Sequence, residues 1–248
     1  MMDLKEKKTP EELFDLAMAG RGGRLDTSKT PTPLAHEARR NFARSFLEGI
    51  GARSNEPDQP VIHFDYYDSK QPNAVAFSRD GYDFVGMSRE LAEGLYFMFG
   101  AMLEDGSALR FLGLNAASFA GQEEEISKRL GFALTTRDEA DLMELMRVVY
   151  AHILEIEATR FLLLHEIAHL HFGHVAYLQN RAGDPMLFET APESGGAIDA
   201  LTRQTLEWDA DSDAVCQSLY GVLNRLGKPG SNIVDTIVYE SARNALFT

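Results

Sequence analysis

The stretch Phe161-Leu162-Leu163-Leu164-His165-Glu166-Ile167-Ala168-His169-Leu170 decides how this chain is read. Its apolar residues recur at helical spacing, and HExxH lies within that pattern. On an α-helix, residues four apart are separated by ~400° of rotation and ~6 Å of rise, so their side chains stand almost one above the other. Two imidazoles at that spacing can grip one cation at the ~2.0–2.1 Å that zinc prefers. Glu166 falls ~100° further round than His165, beside the metal rather than aimed at it. A carboxylate placed there suits a general base acting on water. A solvated surface helix with two exposed histidines is the plain alternative. The three leucines ahead of His165 argue against it.

Two histidines leave a zinc site short of a third protein ligand and an open position. His171 and His174 follow closely. Extrapolated along the same helix, they fall ~200° and ~500° from His169, off the ligand face. The long metzincin pattern would need glycine at 172 and histidine at 175, where this chain has Phe172 and Val175. Gly173 reads as a helix stop.

The better third ligand lies on the next helix, in Glu207-Trp208-Asp209-Ala210-Asp211-Ser212-Asp213-Ala214. Glu207 and Asp211 are one turn apart and share a face. Glu207 can ligate while Asp211 accepts the free ring N–H of a ligand histidine, fixing its tautomer. Ala210 and Ala214 flank that face and are small enough to let two helices approach closely. A helix charged on every face is the bland reading of the same residues.

Upstream, Thr9-Pro10-Glu11-Glu12 has the form of a capping box opening a helix that ends near Gly20. Residues 21–31 read as a linker, and Thr32-Pro33 opens a second helix to about Gly51. Strands are expected at 61–67, 73–78 and 82–87, the last two joined by a hairpin turn at Arg79-Asp80-Gly81. Ser88 caps a helix to about Met102. Residues 104–135 read as an irregular insertion. From 137 to about 178 one long helix or two abutting helices are expected. Residues 180–196, rich in Gly, Pro and acid, read as a surface loop. A helix of nearly thirty residues then ends at Gly227, and Ser231 caps a last one. The expected fold class is α+β, mostly helical with a small mixed or antiparallel sheet. Residues 1–51 form an N-terminal helical segment and 52–248 the main domain. His36-Glu37 begins a false HExxH, broken by Arg40, and reads as helix surface. Cys216 reads as a small packed residue.

Composition narrows the partners. The chain has 248 residues, with 24 basic against 38 acidic side chains and a net charge of -14. Phosphate backbones and anionic membranes would repel it. No basic cluster stands out beyond Arg39-Arg40, so no nucleic-acid partner is expected. A single cysteine excludes an intrachain disulfide and thiolate-rich zinc cages. No window approaches the ~18 apolar residues of a membrane span, and the N-terminus lacks a signal-peptide core. A soluble, cytoplasmic protein is the expectation.

HExxH followed by ExxAD resembles the gluzincin metallopeptidases, particularly the CAAX-protein endopeptidases and their heat-shock membrane relatives. The Gly173-His174 pair resembles the "GH" that often trails their HExxH. This resemblance implies a zincin-like domain, with zinc held by His165, His169 and Glu207. It also implies Asp211 behind the ligands and Glu166 as general base for hydrolysis of a protein or peptide substrate. Asn73-Ala74-Val75-Ala76-Phe77 resembles the substrate-binding hairpin of those enzymes, an edge strand that pairs with the substrate backbone. An oxyanion stabiliser is implied too. His174 and Tyr239 are candidates, with His171 and Arg243 beside them, and the sequence does not choose. The membrane helices of those families are absent. In outline a soluble gluzincin with a short gap between its motifs is closer to the phage-exclusion peptidase Lit group. The alternative function is a catalytically inactive zincin-fold protein acting in binding or regulation. A metal-dependent hydrolase of some other bond is a further possibility.

Overall fold

The computed structural model describes residues 8–51, 61–104, 139–182, 186–188 and 200–226. In chain order these are α1 (Pro10–Met18), α2 (Pro33–Gly51), β1 (Ile62–Tyr67), β2 (Ala74–Arg79), β3 (Tyr82–Ser88) and α3 (Arg89–Glu104), then α4 (Glu139–His171), α5 (His174–Ala182), β4 (Met186–Phe188) and α6 (Ala200–Leu226). The fold is α+β, mostly helical around a small mixed sheet. Among the described residues, no helix is long and apolar enough to cross a membrane. The expected insertion at 104–135, the helix stop at Gly227 and the last helix lie almost wholly outside the described residues.

The chain divides into two compact units, one formed by Met1–Gly94 with Thr159–Val215 and the other by Leu95–Ala158 with Cys216–Thr248. The first unit holds the sheet. Its order is β1-β3-β2-β4, with β1 parallel to β3 and the other pairs antiparallel. The β2–β3 connection is the expected hairpin. Asp80 and Gly81 take φ of 51° and 82°, the two left-handed positions a tight hairpin turn demands.

Period-2 alternation sorts the strand residues onto two faces. On one face, Val75, Phe77, Phe84 and Tyr67 pack with Leu13, Phe14 and Met18 of α1. On the other, Phe64, Tyr66, Val85 and Met87 pack with Ala43 and Leu47 of α2 and Leu163 and Ile167 of α4. The HExxH helix is thus anchored by Leu163 and Ile167, which flank His165 in sequence. Helix α1 starts as expected: Thr9 accepts from the Glu12 amide, and Glu12 accepts from the Thr9 amide. The Ser88 hydroxyl accepts from the Leu91 amide at the start of α3.

Three local expectations are corrected. Residues 21–31 are no loose linker. Arg24 bridges to Tyr67 beside β1, and Leu25, Thr27 and Thr30 are buried. His36 is fully buried rather than on a surface, packing edge-on against Tyr66, with Nε2 donating to Glu93 at 3.1 Å. Cys216 is exposed. The fold also gathers basic residues that sequence proximity did not. Arg40 and Arg44 stand 2.9 and 3.1 Å from Asp65, with Arg24 at 3.9 Å. Asp65 is 1% exposed, so a buried carboxylate is met by three guanidinium groups, of which those of Arg24 and Arg44 reach solvent.

In the second unit, Tyr96 packs on His152 with ring centroids 5.5 Å apart, and His152 Nδ1 stands 2.9 Å from Glu155. Leu103, Tyr150 and Ile153 are buried there.

Candidate metal centre

His165 and His169 lie on consecutive turns of α4, and both are buried, at 3% and 0% exposure. Their Nε2 atoms are 3.0 Å apart. Oε2 of Glu207, from α6, stands 3.2 Å from His165 Nε2 and 3.5 Å from His169 Nε2. Ala210 and Ala214, on the same side of α6, are fully buried and admit the helix closely. These three groups form the one cluster among the described residues able to hold a metal ion.

The separations test the fit. Three ligand atoms on a tetrahedral zinc at ~2.05 Å would lie ~3.3 Å from one another, by simple trigonometry on the usual bond length. The observed 3.0, 3.2 and 3.5 Å bracket that figure. The proton positions agree. Asp211 Oδ1 is 3.0 Å from His165 Nδ1, and a carboxylate only accepts, so Nδ1 carries the proton and Nε2 presents a lone pair inward. The donor set of two imidazoles and a carboxylate suits zinc or a similar divalent ion.

His169 has its own support on the far side. Its Nδ1 is 2.9 Å from Nδ1 of His174. With His169 Nε2 turned to the cluster, its Nδ1–H donates and His174 Nδ1 accepts. Burial lowers the His174 pKa from the ordinary 6.5, which favours a neutral ring able to accept. Burial opposes ionisation of Glu207, but a proton on the facing Nε2 of His165 or His169, standing where a cation would, outweighs it and holds its carboxyl at about 2. Glu207 is therefore an anion at neutral pH, as a ligand must be.

No family model, curated protein or solved structure matches this chain. The reading of the site accordingly rests on its own residues.

Glu166 is 1% exposed and follows His165 directly on α4. His174 sits behind the histidine pair, engaged with His169. That placement comes from Gly173, whose φ of +74° ends α4 and turns the chain so that α5 starts afresh at His174. Carrying the helical angle through 173 hid this contact from the sequence reading. His171 is exposed. Tyr239 and Arg243 lie outside the described residues.

The expected substrate strand is where the structure departs furthest. Asn73 and the first residues of β2 are buried, from 9% exposure at Asn73 to 0% at Val75 and Ala76. This strand is not a sheet edge. Its far side pairs antiparallel with β4, Val75 to Phe188, Ala76 to Leu187 and Phe77 to Met186. The residues covering it come from the segment 180–196, expected to be loop throughout. A run of three is too short to show the alternation by which strands are recognised.

Proposed function

We propose that this chain is a zinc-dependent peptidase of the gluzincin type, acting on a protein or peptide substrate. The convergence of His165 Nε2, His169 Nε2 and Glu207 Oε2 supports this reading most directly. The lone Cys216 suits the reducing cytoplasm.

Zinc, when bound, would supply a Lewis acid that acidifies a water molecule and polarises a carbonyl group. The side chains divide the remaining work. Asp211 and His174 fix the tautomers of His165 and His169, so both rings offer Nε2 lone pairs without rearrangement. Glu207 brings a full negative charge on one oxygen. Glu166 takes the proton from the attacking water and later hands it to the leaving amine. Its burial keeps bulk water from competing for that proton.

An inert relative used only for binding would have no use for Glu166, because a purely structural site closes its coordination and needs no base. The test is hydrolysis of unfolded casein with and without a chelator, on the parent chain and on Glu166→Gln. The parent should cleave and be silenced by chelation. The variant should keep its zinc and lose ~10²–10⁴-fold in turnover. Cleavage that survives chelation, or persists undiminished in Glu166→Gln, removes the mechanism.

A further inference from the structure

A cavity bounded by α1, the segment 24–27, α2 and β1 plays no part in the chemistry of the metal centre. It has a volume of about 600 Å³, and all the residues lining it belong to the first unit. Its walls carry the guanidinium groups of Arg24, Arg40 and Arg44 and the carboxylates of Glu11, Asp15 and Asp26, with the buried Asp65 among them. Leu25 is the one apolar side chain lining it among the described residues. That size suits a small molecule, and walls of this kind suit a charged one.

The donors in this cavity are only partly used. A guanidinium carries five N–H groups on three nitrogens. Asp15 grips Arg24 at two of them, with Nε 3.0 Å from Oδ1 and Nη2 3.2 Å from Oδ2. The third, Nη1, is 3.9 Å from Asp65 Oδ2, close enough to feel its charge and too far for a hydrogen bond. Arg44 is held in a similar way. Its Nε donates to the Phe64 carbonyl at 3.2 Å and its Nη2 to Asp65 Oδ2 at 3.1 Å, which leaves Nη1 without an acceptor among the described residues. Two guanidinium groups thus meet beside one carboxylate oxygen, each anchored by two nitrogens with a third uncommitted. Arg40 differs, since its three nitrogens stand against Asp65, Glu37 and the Leu25 carbonyl. A fork already anchored loses little freedom when its last nitrogen takes up an oxyanion.

The carboxylates narrow the ligand further. Asp15 is spent on Arg24, and Asp26 accepts from the Ser28 amide and hydroxyl and pairs with Lys29 at 2.9 Å. Glu11 is exposed, and its one ion pair among the described residues is with His63 Nδ1, at 4.0 Å. A simple anion would find the arginines and be repelled by Glu11. A metal ion would find no convergent donors, because the described residues gather such a group only at His165, His169 and Glu207. A molecule with both charges answers both walls. We propose that this cavity binds a small zwitterion, a free α-amino acid or a dipeptide. Its carboxylate sits at Nη1 of Arg24 and Arg44, and its ammonium group at Glu11. Such binding is independent of the peptidase reading.

The probes are the common amino acids and glycylglycine, each scanned against the full chain by thermal denaturation. A molecule that binds only the folded chain raises Tm as its concentration rises. At least one of these zwitterions should do so. Its dissociation constant, measured by calorimetry, should then weaken about tenfold or more in Arg44→Gln and in Glu11→Gln, each of which removes a charge-assisted contact. Glu11 is exposed in the first turn of α1, so Glu11→Gln keeps the fold should Arg44→Gln lose it.

No rise in Tm with any probe, or undiminished affinity in Glu11→Gln, overturns the proposal. So does equal binding of inorganic phosphate or of the N-acetyl form of the same probe, since neither carries an ammonium group. Glu207→Ala should bind the probe as the parent does. Binding lost in that variant would put the probe on the metal centre instead, and would also overturn the proposal. Failure of casein cleavage in the parent chain sinks the peptidase reading and leaves all of these results standing.

Discussion

Asp211 Oδ1 stands 3.0 Å from His165 Nδ1, on the opposite side of the ring from the nitrogen that faces Glu207. One helix, α6, thus touches both nitrogens of one imidazole, with residues a single turn apart. The first carboxylate completes the donor set, and the second decides which nitrogen of His165 is free to join it.

Replacing Asp211 with alanine should therefore weaken zinc without removing a ligand. Outer partners of ligand histidines are typically worth ~10–100-fold in metal affinity. Competition against a chromogenic chelator would measure the loss. Asp211 is exposed, so stability should change little. Unchanged affinity would show that the contact does not orient His165.

His174 makes the same kind of claim through an imidazole. His174→Ala should lose ~10–100-fold in zinc affinity, and His174→Asn, which keeps an acceptor at similar reach, should recover part of it. An oxyanion role would look different, with metal affinity intact and kcat alone reduced. The buried contact with His169 favours the first outcome.

His36, which is buried, and His63, which is half-buried, both contribute to the acid side of stability. Burial, over the opposing pull of Glu93, lowers the His36 pKa from the ordinary 6.5. Burial likewise lowers that of His63, against Asp65 and Glu11. Each ring binds fewer protons folded than unfolded. Their contribution is complete above the unfolded value and is lost as pH falls through the lower folded one. The urea midpoint should accordingly drop as pH is taken from 7 to 5. A double variant, His36→Gln with His63→Gln, should show a flatter profile over that range. An equal slope in parent and variant would assign the acid sensitivity elsewhere.

What the sequence made legible was local. Thr9 with Glu12, Asp80 with Gly81, and Ser88 each act within three or four residues, and each element forms where expected. The spacing of His165 with His169 and of Glu207 with Asp211 is also local, set by helical rotation, so the face each pair shares could be read directly. What stayed hidden depends on distant partners or on a break in periodicity. Gly173 resets the direction of the chain, so no angle counted along α4 could place His174 against His169. The pairing of Ala76 with Leu187 joins segments more than a hundred positions apart, through a strand too short to alternate. His36 carries a surface-like context in sequence and is buried only because Tyr66 and Glu93 meet it in space.

The most direct measurement is the zinc content of the purified chain, by elemental analysis, set beside Glu207→Ala. Convergence of two imidazoles and one carboxylate calls for one zinc per chain in the parent. It calls for a stoichiometry well below one in the variant after dialysis against a weak chelator. A metal-free parent, or a variant that holds a full equivalent as firmly as the parent, would contradict the assignment of this cluster.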